Sequence, residues 1–166
     1  MDKKYNYLAE DITNSKILLL DDDYGFVDEN NIPHINWDSE NSIVDADGFD
    51  KRFRPVEGAE DYIIKDYIIP KGETICRYGF WGGFFTTTKG TDYVLLGLPY
   101  DKKTIEYHEY KVTNDLRVDC IVKKGIVAPM FSSPGGGVQF KHKQPIFLEC
   151  EDGYLQEDFS WIQKNI

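Results

Sequence analysis

No uninterrupted apolar run in this 166-residue sequence approaches the roughly 18 residues that a membrane-spanning helix requires, so a membrane role is not expected. The opening, Met1-Asp2-Lys3-Lys4-Tyr5-Asn6-Tyr7-Leu8, lacks a basic region followed by an apolar stretch, so no signal peptide is expected. Cysteine is scarce. Cys76, Cys120 and Cys150 are an odd number, widely spaced and without zinc-ligand spacing, which makes them buried structural thiols rather than a disulfide frame or metal site. The three histidines, His34, His108 and His142, fall in none of the usual hydrolytic or zinc motifs. His108, in Ile105-Glu106-Tyr107-His108-Glu109-Tyr110, reads as a solvent-facing strand residue, and no metal ligand set is expected.

What is abundant is acid, and it is unevenly placed. Residues 1–50 hold 13 Asp/Glu against 3 Lys/Arg, whereas residues 51–166 hold 16 of each, so the first third carries the whole net charge of −10. No basic patch is visible, which argues against nucleic acid as a partner. A small anionic ligand still fits the neutral part if a few cations converge there. Two acidic runs, at Asp21-Asp22-Asp23 and Asp45-Ala46-Asp47-Gly48, suggest calcium, but neither completes a twelve-residue loop. In the second, Arg54 falls where the bidentate acid belongs, so solvated turns are expected.

Element signals favour strands. Thr74–Tyr78, Thr91–Leu98, Ile105–Val112, Leu116–Lys123 and Ile126–Ala128 read as extended, with Lys123-Lys124-Gly125 as a turn. Residues 60–69 suit either a helix or a strand. Ile146–Cys150 and Tyr154-Leu155 suggest a closing hairpin around Glu151-Asp152-Gly153. The expected fold class is α+β, mainly β. It is a single domain with a twisted, mostly antiparallel sheet and a short helical or irregular N-terminal part. The organisation divides into an acidic segment, 1–45, and a main domain, 46–166.

Two stretches carry candidate chemistry. In Cys76-Arg77-Tyr78-Gly79-Phe80-Trp81-Gly82-Gly83-Phe84-Phe85, one of only four arginines leaves a strand into a loop rich in glycine and aromatics. Such a loop is either an aromatic core corner with a surface Arg, or a phosphate-clamping Arg beside a stacking platform. In Pro134-Gly135-Gly136-Gly137-Val138-Gln139-Phe140, the glycines form either a flexible loop or a concavity whose N–H groups accept an anion. Gln139 is either a solvent-facing alternate or a pocket amide.

The ordered set formed by Arg77-Tyr78-Gly79, the aromatic-glycine loop, Leu98-Pro99 and Ala128-Pro129-x-Phe131-x-x-Pro134-Gly135-Gly136-Gly137-x-Gln139-Phe140 resembles the TNT family, the tuberculosis necrotizing toxin domain of NAD glycohydrolases. The likeness covers about residues 40–156. It implies that Arg77 is an active-site residue contacting the dinucleotide, with Tyr78 and Gly79 beside it. It also implies that Phe85, with Phe84, lines the nicotinamide side, that Gln139 is needed for activity, and that Gly135, Gly136 and Gly137 border the substrate. The resemblance places a second arginine where this sequence has Leu96, and that arginine's charge could be supplied instead by Lys89, Lys102, Lys103 or Arg117.

The resemblance further implies NAD(P)+ as substrate rather than cofactor, with no other cofactor, and a toxin or effector delivered into a target cell. Its partner would be a cognate immunity protein. The chemistry is coherent. Nicotinamide leaves as a neutral base from a pyridinium, so no general acid is needed, and the ribose passes through an oxocarbenium-like state. Glu149 and Glu151 are candidate assisting carboxylates by proximity in sequence. The alternatives are an inactive nucleotide-binding or interaction module of the same fold, a cyclase forming cyclic ADP-ribose, and a β-rich structural domain.

Overall fold

Thr74–Tyr78, the strand that carries Arg77, lies inside the sheet and is paired on both sides. The computed structural model describes residues 7–8, 25–30, 32–35, 43–99, 102–113, 121–131 and 133–163. In chain order these hold β1 (Tyr7–Leu8), β2 (Gly25–Val27), β3 (Pro33–Ile35), β4 (Phe53–Arg54), β5 (Ile64–Tyr67), β6 (Thr74–Tyr78) and β7 (Phe85–Thr88). A 3-10 helix (Tyr93–Leu96) follows, then β8 (Tyr107–Val112), β9 (Val122–Ile126), β10 (Val138–Lys141), α1 (Ile146–Glu151), β11 (Leu155–Glu157) and α2 (Ser160–Gln163). Seven strands form one sheet in the order β11-β8-β6-β7-β10-β9-β5. The pairings β11–β8, β8–β6, β6–β7 and β7–β10 are antiparallel, so the mainly β, mostly antiparallel architecture is the expected one.

Chain packing resolves two compact units. One comprises Lys65–Gly90, Lys102–Lys123 and Phe140–Ile166. Within it β6 pairs with β8 through Cys76↔Glu109, Arg77↔His108 and Tyr78↔Tyr107, and with β7 through Ile75↔Thr88 and Cys76↔Thr87. Because side chains alternate across a strand, Cys76, Glu109 and Thr87 share one face and Ile75 and Tyr110 share the other. Cys76 is buried, its thiol pushed up to about 11 by burial and bonded to the Thr88 carbonyl at 3.6 Å. Glu109, also buried, accepts from the Tyr107 hydroxyl at 2.6 Å and faces Lys89 Nζ at 3.6 Å. Cys150 is only half-buried, and Cys120 lies outside the described residues.

The other unit comprises Met1–Ile64, Thr91–Asp101 and Lys124–Gln139. Its described core is Val44, Phe49, Phe53, Leu96, Ile126, Val127, Ala128 and Met130. Antiparallel bridges Val44↔Asp50 and Phe49↔Val127 tie the 44–50 turn to the chain after β9. Asp50, wholly buried, receives the Arg52 fork, Nε to Oδ1 at 3.0 Å and Nη2 to Oδ2 at 2.8 Å, so its charge is matched inside the fold. Farther N-terminal, β2 and β3 make a short antiparallel pair and β1 lies parallel to β4.

Several sequence expectations are corrected. Thr91–Leu98 is not a strand. Leu95 N–H returns to the Asp92 carbonyl at 3.0 Å, and Gly97, in the left-handed region at φ 60°, stops the 3-10 helix. Lys123-Lys124-Gly125 is not a turn but lies inside β9. Gly125 is there because a Cβ would come within 2.5 Å of the Phe49 ring. Ile146–Cys150 is helical, not the first arm of a hairpin. Pro145 opens it, its carbonyl accepts from Leu148 and Glu149 N–H, and Ile146 and Glu149 are buried at helical spacing. Residues 60–69 resolve as a strand, Ile64–Tyr67. Of the expected strand Leu116–Lys123, residues up to 120 lie outside the described residues.

His108 is a clamp rather than a solvent-facing alternate. Its Nδ1 is 2.7 Å from Glu157 Oε2 and its Nε2 is 2.9 Å from Glu106 Oε2. Partial burial opposes its protonation, but the two carboxylates outweigh that and hold its pKa above the ordinary value. Only the imidazolium can donate from both nitrogens. A raised folded pKa means that this contribution to stability is fully present below about pH 6.5 and is lost as pH rises through the raised value. The melting temperature of wild type should therefore exceed that of His108→Gln most at pH 6, the gap closing by pH 9. A gap that does not change with pH in scanning fluorimetry would refute the clamp.

Candidate functional site

The loop between β6 and β7 is wound around one guanidinium. Arg77 donates from Nε to the Phe80 carbonyl and from Nη1 to the Phe85 carbonyl, each at 2.8 Å. The plane lies directly over Gly83, where a Cβ would sit 1.8 Å from Nη2, and beside Gly79, where it would sit 3.0 Å away. Gly79, at φ 129°, also sends its N–H to the Glu106 carbonyl at 2.8 Å, continuing the β6–β8 ladder. Gly83 is required by the close approach of the arginine, and Gly79 by its positive φ.

Three more carbonyls of this loop are engaged. Phe147 N–H binds the Trp81 carbonyl, Ile146 N–H that of Gly83 and His142 N–H that of Phe84, at 2.9, 3.0 and 2.8 Å. With the backbone held on this side, the rings project outward. Phe80 is 66% exposed, Trp81 58% and Phe84 38%, while Phe85 is half-buried on β7. Tyr78 packs its ring 4.9 Å from that of Tyr107. Within this unit the structure brings together the predicted Arg77, Tyr78, Gly79, Phe84 and Phe85, and offers a stacking surface beside a cation.

Glu149, the nearer candidate carboxylate, does not belong to this surface. It is fully buried, 3.4 Å from His142 Nδ1, and His142 Nε2 in turn meets Thr86 Oγ1 at 2.8 Å. This Thr86–His142–Glu149 line ties α1 to β7 beneath the aromatic loop and has no access to a ligand. Glu151 is exposed at the end of α1.

The triglycine stretch, in the other unit, is a packing device. Gly135 and Gly136 take φ values of 71° and 97°. A Cβ on Gly135 would lie 2.5 Å from the Val127 carbonyl oxygen, and one on Gly137 3.0 Å from that of Leu95 and 3.1 Å from Leu96 Cδ2. Of the two readings open for this stretch, the hydrogen bonds of Gly136 and Gly137 do not favour an anion-accepting concavity. Gly136 N–H already donates to the Val127 carbonyl at 2.8 Å and Gly137 N–H to the Leu95 carbonyl at 3.0 Å, so these donors face the protein. Leu96 stands where the resemblance places an arginine. It is 8% exposed and packs against Gly137, an apolar filling beside the glycines.

Gln139, on β10, is held by its amide. Nε2 donates to the Asp47 carbonyl at 3.1 Å. That carbonyl belongs to the Asp45–Phe49 turn, expected as solvated but in fact partly buried, with Gly48 and Phe49 inside. Asp45 Oδ1 accepts from Asp47 N–H at 2.8 Å and Phe49 N–H at 3.0 Å, and Tyr62 donates to Asp45 Oδ2 at 3.1 Å. Burial raises the Asp45 carboxyl above its ordinary value. Burial, and then Asp45 itself, push the Tyr62 hydroxyl up to about 12. The sequence reading missed this support, although Asp-x-Asp-Gly is an Asx-turn signature that could have suggested it. Among the described residues, no group of three or more His, Cys, Asp or Glu side chains is placed to hold a metal ion, and no helix is long and apolar enough to cross a membrane.

Comparison with known proteins gives three findings. The family model of the tuberculosis necrotizing toxin matches residues 68–157. A conidial surface nicotinamide adenine dinucleotide glycohydrolase of Aspergillus fumigatus is 30% identical over 104 residues, covering 58% of this chain and 43% of that protein. This chain therefore spans less than half the length of that relative. The tuberculosis necrotizing toxin, solved in complex with its immunity factor, superposes with a TM-score of 0.54 at 17% identity, covering 80% of this chain and 66% of that one. At that identity the likeness is one of fold.

The seat of the guanidinium on Gly83 is directly testable. Gly83→Ala must push Arg77 off its two carbonyl partners, which should cost about 1–3 kcal/mol of stability. In an Arg77→Ala background the same change should cost much less, because nothing then lies over residue 83. Additive losses in a denaturation cycle would contradict this geometry.

Proposed function

The chain belongs to the tuberculosis necrotizing toxin family, and from that membership we propose that it is an NAD(P)+ glycohydrolase, a toxin or effector domain that releases nicotinamide. The observation that carries the reading is the state of Gln139. Its amide nitrogen is anchored on the Asp47 carbonyl, which turns the side-chain oxygen to the opposite side as a fixed, neutral acceptor.

The reaction needs such a group. When the N-glycosidic bond breaks, its electron pair goes to the pyridinium nitrogen and neutral nicotinamide departs without a proton. Positive charge then develops on the ribose C1′ and ring oxygen. A preorganised carbonyl dipole stabilises that charge at no reorganisation cost. Water adds to C1′ and gives its proton to solvent, leaving ADP-ribose, nicotinamide and a proton. Arg77 is the cation for the diphosphate, and Phe84, Phe85 and Trp81 pack against the nicotinamide end. Glu149 takes no part. The enzyme uses NAD(P)+ as substrate and needs no further cofactor. Outside its own cell it would act after export or delivery, and a cognate immunity protein would restrain it.

Leu96 supports a second reading, a nucleotide-binding or interaction module that has lost turnover. Replacing an arginine with a buried leucine removes a charge-assisted contact worth about 1.5–3 kcal/mol. Cyclisation, with the adenine as acceptor in place of water, is a variant of the first reading. Purified protein should release nicotinamide from NAD, and both Arg77→Ala and Gln139→Ala should lower kcat/KM by at least about a hundredfold. Product chromatography separates ADP-ribose from cyclic ADP-ribose. Heat of NAD binding in calorimetry without nicotinamide release at micromolar protein would establish the module instead.

A further inference from the structure

We infer that the Asp45–Phe49 turn is a positioning device for Gln139, with Asp45 and Tyr62 as positioning residues that act through the Asp47 peptide. The inference rests on the glycohydrolase reading for its effect on rate, but not for its geometry. Every component lies within one compact unit.

A glutamine amide rotates broadly about its last bond and has two nearly equivalent settings, with oxygen and nitrogen exchanged. The Asp47 carbonyl can only accept, so it binds the nitrogen and selects one setting. Selection is only as sharp as the carbonyl is fixed, and four sets of contacts fix it. Asp45 Oδ1 holds the N–H groups of residues 47 and 49, on both sides of the Asp47 carbonyl along the chain. The turn closes on itself, with Gly48 N–H to the Asp45 carbonyl at 3.1 Å and Asp45 N–H to the Phe49 carbonyl at 3.0 Å. It is tied outward, with Ala128 N–H to the Gly48 carbonyl at 2.9 Å and Asp50 N–H to the Ile126 carbonyl at 2.7 Å. Tyr62 pins the other carboxylate oxygen of Asp45 at 3.1 Å.

Gly48 makes the turn possible at φ 86°, a backbone that L side chains rarely adopt, and a Cβ there would strike Met130 Cε at 2.9 Å. The aspartate that the sequence presents as one of a solvated pair is thus an acceptor for the turn. Asparagine offers the same oxygen to the same two N–H groups. Its amide nitrogen would replace Oδ2, and the Tyr62 hydroxyl would accept from it instead of donating. Alanine offers neither.

The test compares Asp45→Ala, Asp45→Asn and the milder Tyr62→Phe in the full chain, each confirmed as folded by circular dichroism. Two readouts are used. In 1H–15N spectra without nucleotide, the Gln139 side-chain NH2 pair, assigned by its loss in Gln139→Ala, should move in Asp45→Ala and stay near its wild-type position in Asp45→Asn. In kinetics with NAD, Asp45→Ala should lower kcat about tenfold to a hundredfold with little change in KM. Asp45→Asn should restore kcat to within about threefold of wild type, and Tyr62→Phe should fall between. If Asp45→Ala does not fold, the smaller resonance shift and kcat loss in Tyr62→Phe decide the matter. An unmoved Gln139 resonance in the folded variants, or equal kcat losses in Asp45→Ala and Asp45→Asn, would overturn the inference. A wild type without nicotinamide release would sink the glycohydrolase reading alone, since the resonance comparison stands without it.

Discussion

The guanidinium of Arg77 is the post around which the aromatic loop is built. A planar cation with donors on several edges can satisfy carbonyls that would otherwise face inward unpaired, and here it takes those of Phe80 and Phe85. The first turn of α1 and the backbone of His142 take those of Trp81, Gly83 and Phe84. The loop therefore needs no regular structure of its own. The glycine at 83 follows from the room this cation occupies, and the exposure of Phe80, Trp81 and Phe84 follows from the backbone being held on the opposite side.

A second arrangement in the same unit makes that post possible. The buried line from Thr86 through His142 to Glu149 sets α1 against β7, so that its opening N–H groups meet Trp81 and Gly83. A buried carboxylate facing an imidazole has the look of catalytic machinery, but burial decides otherwise. Groups without access to water or ligand contribute by fixing geometry. In the other unit, the turn at 45–49 does for Gln139 what α1 does for the loop. In each, a side-chain network fixes a piece of backbone, and that backbone holds the functional group.

Much of this was legible in the sequence, and the failures have physical causes. The strand Thr74–Tyr78 is legible to the residue because Pro70-Lys71-Gly72 before it and Gly79 after it bound a run of strand-forming residues. The mainly β class followed from β-branched and aromatic content. Ile146–Cys150 looks like a strand in sequence because a short apolar run carries no period, and the helix shows only in the bonds to the Pro145 carbonyl and the joint burial of Ile146 and Glu149. Gly125 looks like a turn in sequence because a glycine kept small by the Phe49 ring has the same signature. The candidate site residues stood out through rare types in glycine-rich settings. Their supports did not, because a backbone carbonyl such as that of Asp47 has no signature of its own.

The inward-facing backbone of the aromatic loop bears on selectivity. The carbonyls of Phe80, Trp81, Gly83, Phe84 and Phe85 are all engaged within the protein, while the rings of Phe80, Trp81 and Phe84 stand exposed. Ring surface reads flatness, size and charge but not the pattern of donors and acceptors around a heterocycle. A molecule resting on it would be sorted by shape and polarity. Telling apart heterocycles that differ only by an exchanged amino and keto group would fall to polar groups elsewhere in the chain.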